Sequence, residues 1–85
     1  MPSAAADLAA ISDYLAASLP AYRDRTIREI YNGVGDLKRF PYRGPRGRRP
    51  GTRELLVQRM PYVVVYRIRD ECIEVVRILH GAQDR

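Results

Sequence analysis

His80 and Cys72 are the one imidazole and the one thiol of this chain, and neither has an obvious chemical partner in the sequence. Eight residues apart in the sequence, they give little support to a Cys/His nucleophile. No Ser/His/Asp arrangement, P-loop or paired-carboxylate motif accompanies them, so a conventional hydrolase is not indicated. One cysteine and one histidine also leave no intrachain disulfide and no Cys/His metal cluster, and no cofactor is expected. His80 precedes Gly81 at the end of a strand, where an imidazole is accessible, yet a lone histidine there is more often a polar strand terminus than a proton carrier.

The second chemical resource is positive charge. Lys38 to Arg53 contains seven basic residues and no acid, and Arg43, Arg46, Arg48, Arg49 and Arg53 concentrate it without internal neutralisation. Guanidinium groups suit bidentate contacts with phosphate or carboxylate, and Tyr42 interleaves with them as stacking beside phosphate contacts requires. A solvated connector is the plain alternative. Over the whole chain, 15 basic residues against 10 acidic ones give a net charge of +5, and all the basic residues but Lys38 are arginine. A polyanionic partner, nucleic acid or an acidic protein segment, fits that balance.

The elements that must position these groups can be read from periodicity. At 85 residues the chain has room for one domain with one small core. Ser3 can cap a helix from Ala4 to about Ser18, with Leu8, Ile11, Leu15 and Leu19 at helical spacing and Leu19-Pro20 as its stop. A second helix from about Ala21 to Arg39 carries the stripe Ile27, Ile30, Tyr31, Val34 and Leu37, weakened near Gly33 and Gly35. The two should form a hairpin. Pro41 to Gly51, with three prolines and three glycines, is a loop. Three short strands follow between about 53 and 80. No apolar stretch approaches the length of a spanning helix and no basic leader is visible, so the expected location is the cytoplasm, away from membranes.

For the last two strands a register can be written. A two-residue turn at Asp70-Glu71 puts Arg69 opposite Cys72, Ile68 opposite Ile73, Arg67 opposite Glu74, Tyr66 opposite Val75 and Val64 opposite Arg77. Alternation then predicts one face of Tyr62, Val64, Tyr66, Ile68, Ile73, Val75, Arg77 and Leu79, packed on the helices. The other face has Val63, Val65, Val76 and Ile78 as an apolar strip, with Cys72 and His80 on the same side, and it awaits a partner.

Three pieces of this region, Gly51-Thr52-Arg53-Glu54-Leu55, then Pro61-Tyr62 with the run Val63 to Tyr66 and Arg67, then Val76-Arg77-Ile78-Leu79-His80-Gly81, resemble the RelE/ParE superfamily of toxins from bacterial type II toxin–antitoxin pairs. The resemblance implies an α/β two-layer domain (α+β), a helical hairpin on an antiparallel sheet of about three strands. It also implies a cognate antitoxin, for which the strip Val63, Val65, Val76 and Ile78 is the expected seat, and an intracellular target, toward which the basic loop is directed.

RelE-like members cut mRNA on the ribosome, and ParE-like members poison DNA gyrase. For cleavage, a group must take the 2′-hydroxyl proton, cations must surround the phosphate and a donor must serve the leaving oxygen. The groups of this chain that could substitute in those roles are Arg53, Arg77 and His80. The family's nuclease members place an arginine directly after the residue matching Tyr62 and basic or Tyr residues past the last strand. Here those places hold Val63 and Gly81-Ala82-Gln83-Asp84, so the ParE branch is the nearer likeness. Gyrase inhibition is the leading expectation, mRNA cleavage the second, and a silent nucleic-acid-binding or decayed toxin module the third. Pro2, Ala4, Asp7 and Leu8 match a Pro-x-Ala-x-x-Asp-Leu segment that a strand usually precedes in the family. The expectation is therefore an unpaired sheet edge that invites self-association or an added strand.

Overall fold

A computed structural model describes residues 2–81. Helix α1 runs over Ala4–Ser18 and α2 over Pro20–Asp36, followed by strands β1 (Arg53–Leu56), β2 (Tyr62–Arg69) and β3 (Cys72–His80). The strands form one antiparallel sheet in the order β1-β2-β3 with the helical hairpin on one face, a two-layer α+β fold as expected.

The helix boundaries follow local chemistry. Ser3 Oγ accepts the Ala6 N–H at 3.1 Å, a side-chain cap that starts α1. Leu19, with φ −143° and ψ 64°, ends α1 and precedes Pro20, whose missing N–H is harmless in the first helical turn. Two features of the predicted hairpin need correction. Helix α2 ends at Asp36 and not at Arg39, because the chain tightens into turns beyond Gly35. Leu37 is nevertheless fully buried, so the predicted stripe keeps its last member while the helix stops short of it. Leu19 and Tyr31, both predicted to pack inward, are 50% and 62% exposed.

The core between the layers is built from Ile30, Val57, Tyr62, Val64 and Ile78, with Leu8, Ile11, Val34 and Leu55 packed against it. The turn at Asp70-Glu71 adopts positive φ at both residues, 51° and 64°, and the predicted pairs Arg69–Cys72, Ile68–Ile73, Arg67–Glu74 and Tyr66–Val75 all form.

Beyond Tyr66 the predicted register fails. A bulge makes Val76 an extra residue, so Val65 faces Arg77, Val64 faces Ile78, Val63 faces Leu79 and Tyr62 faces His80. Every side chain after Val76 thereby changes sides relative to simple alternation. Ile78 joins the helix-side core, and Leu79 takes the place predicted for it on the open face.

Among the described residues no strand lies beyond β3, so its outer edge is free, while the outer edge of β1 meets the basic loop at the Arg46–Arg53 bridge. That edge is not bare. Asp7 of α1 reaches it, accepting the Ile78 N–H at 2.9 Å and two bonds from Arg77, Nε at 2.6 Å and Nη2 at 2.9 Å. Burial alone would raise the Asp7 carboxyl pKa, but the Arg77 hydrogen bonds, the Ile78 N–H and the Arg77 charge outweigh it and hold the carboxyl below its usual range. A depressed carboxylate contributes stability above its unfolded pKa and loses it as pH falls through the folded value. Asp7→Asn should therefore lower stability by about 2 kcal/mol at neutral pH and flatten the acid limb below about pH 4. Urea unfolding across a pH series tests this, and an unchanged acid limb would detach the carboxylate from acid sensitivity.

Candidate functional site

The residues singled out by sequence occupy three separate places. The basic loop is the first, and the fold pins it. Tyr66, fully buried on the helix side, donates its hydroxyl to the Pro41 carbonyl at 2.7 Å and accepts the Gly44 N–H at 3.0 Å. A Cβ on Gly44 would come within 2.9 Å of the Tyr66 ring and of the Glu54 carbonyl, so only glycine fits there. Farther along, the Gly47 N–H bonds to the Thr52 carbonyl and the Glu54 N–H to the Pro45 carbonyl, folding the loop back along β1.

The expectation of charge without internal neutralisation needs correction at Arg43, which lies 3.7 Å from Asp36. The Arg48 backbone N–H bonds to the Glu54 carboxylate, and Arg53 binds the Gly44 carbonyl at 2.8 Å with its guanidinium over the Tyr42 ring. The Tyr42–arginine interleaving is thus a stacked pair with Arg53, at 4.8 Å from guanidinium carbon to ring centroid. Arg46 and Arg49 line a hollow beside them, along with Tyr42, Thr52 and Ile68.

The open sheet face is the second place. Val63, Val65 and Leu79 form a cluster separate from the helix-side core, with Val76 against it. The strip is therefore Val63, Val65, Val76 and Leu79, with Ile78 removed by the bulge. It is also less open than expected, since Val63, Val65 and Leu79 are 6%, 5% and 9% exposed. The large apolar side chain that this face does present is Leu56, 65% exposed and paired with Val63. Sequence reasoning missed it, although pairing β1 onto β2 would have placed it there. Beyond the strip, Arg67 donates Nε to Glu74 at 2.9 Å, the predicted cross-strand ion pair. The guanidinium hydrogen bond, against a smaller opposing desolvation, holds the Glu74 carboxyl low.

The three groups proposed for cleavage do not converge. Arg53 is held by Tyr42 and Gly44, Arg77 by Asp7, and His80 lies edge-on to the Tyr62 ring at 5.8 Å between centroids. Arg77 pairs with Val65 and His80 with Tyr62, three positions apart on β2 and so on opposite faces, but the bulge exchanges the faces predicted for them, Arg77 going to the open side and His80 to the helix side. The final segment Ala82-Gln83-Asp84 lies outside the described residues. Asp7, which organises the far end of β3, gave no sign of that role in the sequence, because its partners are about seventy residues away.

The helical hairpin on a three-stranded antiparallel sheet has counterparts among known toxin–antitoxin proteins. A solved structure described as the chromosomal ParDE toxin–antitoxin system from P. aeruginosa superimposes with a TM-score of 0.81 at 28% identity, covering 94% of this chain and 89% of that one. Toxin RelE2 of Caulobacter vibrioides is 36% identical over 80 residues, 94% of this chain and 89% of its own length. The protein Y4kP of Sinorhizobium fredii is 32% identical over 73 residues, 86% and 75% of the two chains. Residues 1–85 match the family described as the ParE toxin of type II toxin–antitoxin system, parDE, and the chain belongs to that family. As a type II toxin, it has a cognate antitoxin as its partner by family.

Proposed function

We propose that this toxin acts in the cytoplasm by inhibiting DNA gyrase, and that its antitoxin silences it by covering the open sheet face around Leu56, Val63, Val76 and Leu79. The observation that carries the mechanism is the dispersal of Arg53, Arg77 and His80. A ribosome-dependent nuclease needs its proton acceptor, cations and leaving-group donor around one phosphate. In this chain Arg77 is committed to Asp7, and Val63 stands where the nuclease members carry a cation. The pinned loop, with Arg46 and Arg49 at a shared hollow, supplies the positive surface offered to the target.

Gyrase supercoiling and ribosome-bound mRNA cleavage, assayed side by side with the purified chain, test this. Supercoiling should fall while translated mRNA stays uncut, and His80→Ala should retain most of the inhibition. Codon-phased cuts that vanish in His80→Ala would overturn the reading in favour of an mRNA endoribonuclease.

A further inference from the structure

On the helix-packed side of the sheet, remote from the open strip, a cleft of about 620 Å³ separates the closed end of the hairpin from the β1–β2 turn. Tyr14, Tyr22, Arg25, Arg59, Tyr62 and His80 converge on it, and among the described residues no carboxylate lines it. We infer that this cleft binds a phosphorylated nucleoside, with the base against the tyrosine rings and the phosphate on Arg25 and Arg59.

Four observations carry the assignment. Tyr14 and Tyr22 are 63% and 54% exposed, flat rings held at the mouth and not spent on the core. Arg25 and Arg59 are both exposed, and neither forms an ion pair among the described residues, unlike Arg43, Arg67 and Arg77 elsewhere. Thr26, 4% exposed, lines the same cleft, and among the described residues its hydroxyl is directed only at the Met60 thioether, 3.8 Å away. A buried hydroxyl with so weak a partner has capacity left for a ligand atom. Finally, Arg59 sits at φ 62°, a left-handed conformation that glycine or asparagine would adopt more easily. Arginine stands there against its backbone preference, and its guanidinium is what the position gains.

Aromatic faces beside unpaired guanidinium groups suit a base and its phosphate. A cation is disfavoured, because the described lining residues offer no negative group. An acidic peptide would satisfy the arginines but leave the exposed rings unused. The Tyr62 phenol, raised first by burial and then by nearby Tyr14, stays protonated as a donor at neutral pH.

Adenosine monophosphate titrated into the full chain, followed by NMR, provides the test. Saturable shifts should appear at Tyr14, Tyr22, Tyr62 and His80, with adenosine alone and inorganic phosphate alone at least about tenfold weaker. Arg59→Gly removes the cation while relieving the backbone, so it should keep the fold and lower affinity about tenfold. Arg25→Gln should do the same from the helix side. The inference is overturned if no saturable shift occurs up to about 10 mM nucleotide, or if the shifts map to Arg46 and Arg49. It is equally overturned if both variants bind as the parent does, or if the cleft rings respond only to antitoxin. None of these results bears on gyrase inhibition.

Discussion

Tyr66→Ala should remove half or more of the stability of the free chain. The ring is fully buried at the centre of β2, and truncating a buried aromatic costs about 3–5 kcal/mol. A domain of this size holds a total of about 5–10 kcal/mol. The same substitution also strands the Pro41 carbonyl and the Gly44 N–H, which the hydroxyl ties to the sheet. Tyr66→Phe separates the two contributions. It keeps the ring and loses only the hydroxyl, so it should cost about 1–2 kcal/mol and speed amide exchange at Gly44. Urea midpoints for the two variants, with exchange rates at Gly44, decide the matter. Equal stability of Tyr66→Phe and the parent, with Gly44 exchange unchanged, would show that the loop is held by other contacts.

Leu56→Asp should weaken antitoxin binding about a hundredfold while changing the fold by no more than about 0.5 kcal/mol. Leu56 is largely exposed, so the free chain loses little by the change, whereas an apolar partner surface would have to bury a charge there. Val65→Asp is the instructive contrast. At 5% exposure, Val65 is buried without any partner, and a carboxylate in its place should destabilise the isolated chain itself. Calorimetric titration of the antitoxin against each variant, set beside thermal unfolding of the free chains, separates the two effects. Parent-like affinity in Leu56→Asp would move the antitoxin off this face.

What could be read in the sequence is what local rules control. Ser3, Pro20 and the stripe through Ile30 and Leu37 fix the hairpin, and Asp70-Glu71 fixes the register as far as Tyr66–Val75. The bulge at Val76 was illegible, because Val75, Val76 and Ile78 are all apolar β-formers and either face would accept them. Contacts distant in sequence were hidden for a different reason. Nothing near Asp7 announces Arg77, and nothing near Tyr66 announces Pro41 and Gly44, so the loop read as free charge when its backbone is bonded in place. The cleft at Thr26 and Arg59 escaped notice likewise, since it is assembled from the helix junction, a turn and two strand ends.

The extra residue in β3 also bears on how this chain should be aligned with its relatives. Because Val76 has no partner on β2, a homologue lacking that one residue would keep every observed pair, from Arg69–Cys72 to Tyr62–His80. A single-residue gap between Val75 and Arg77 is therefore neutral to the topology. The same gap anywhere between Arg77 and Leu79 would turn the strand's remaining side chains over and exchange core for surface. Insertions and deletions in this family's last strand should accordingly collect at one position, and sequence comparisons that spread them evenly will misplace the residues on either side.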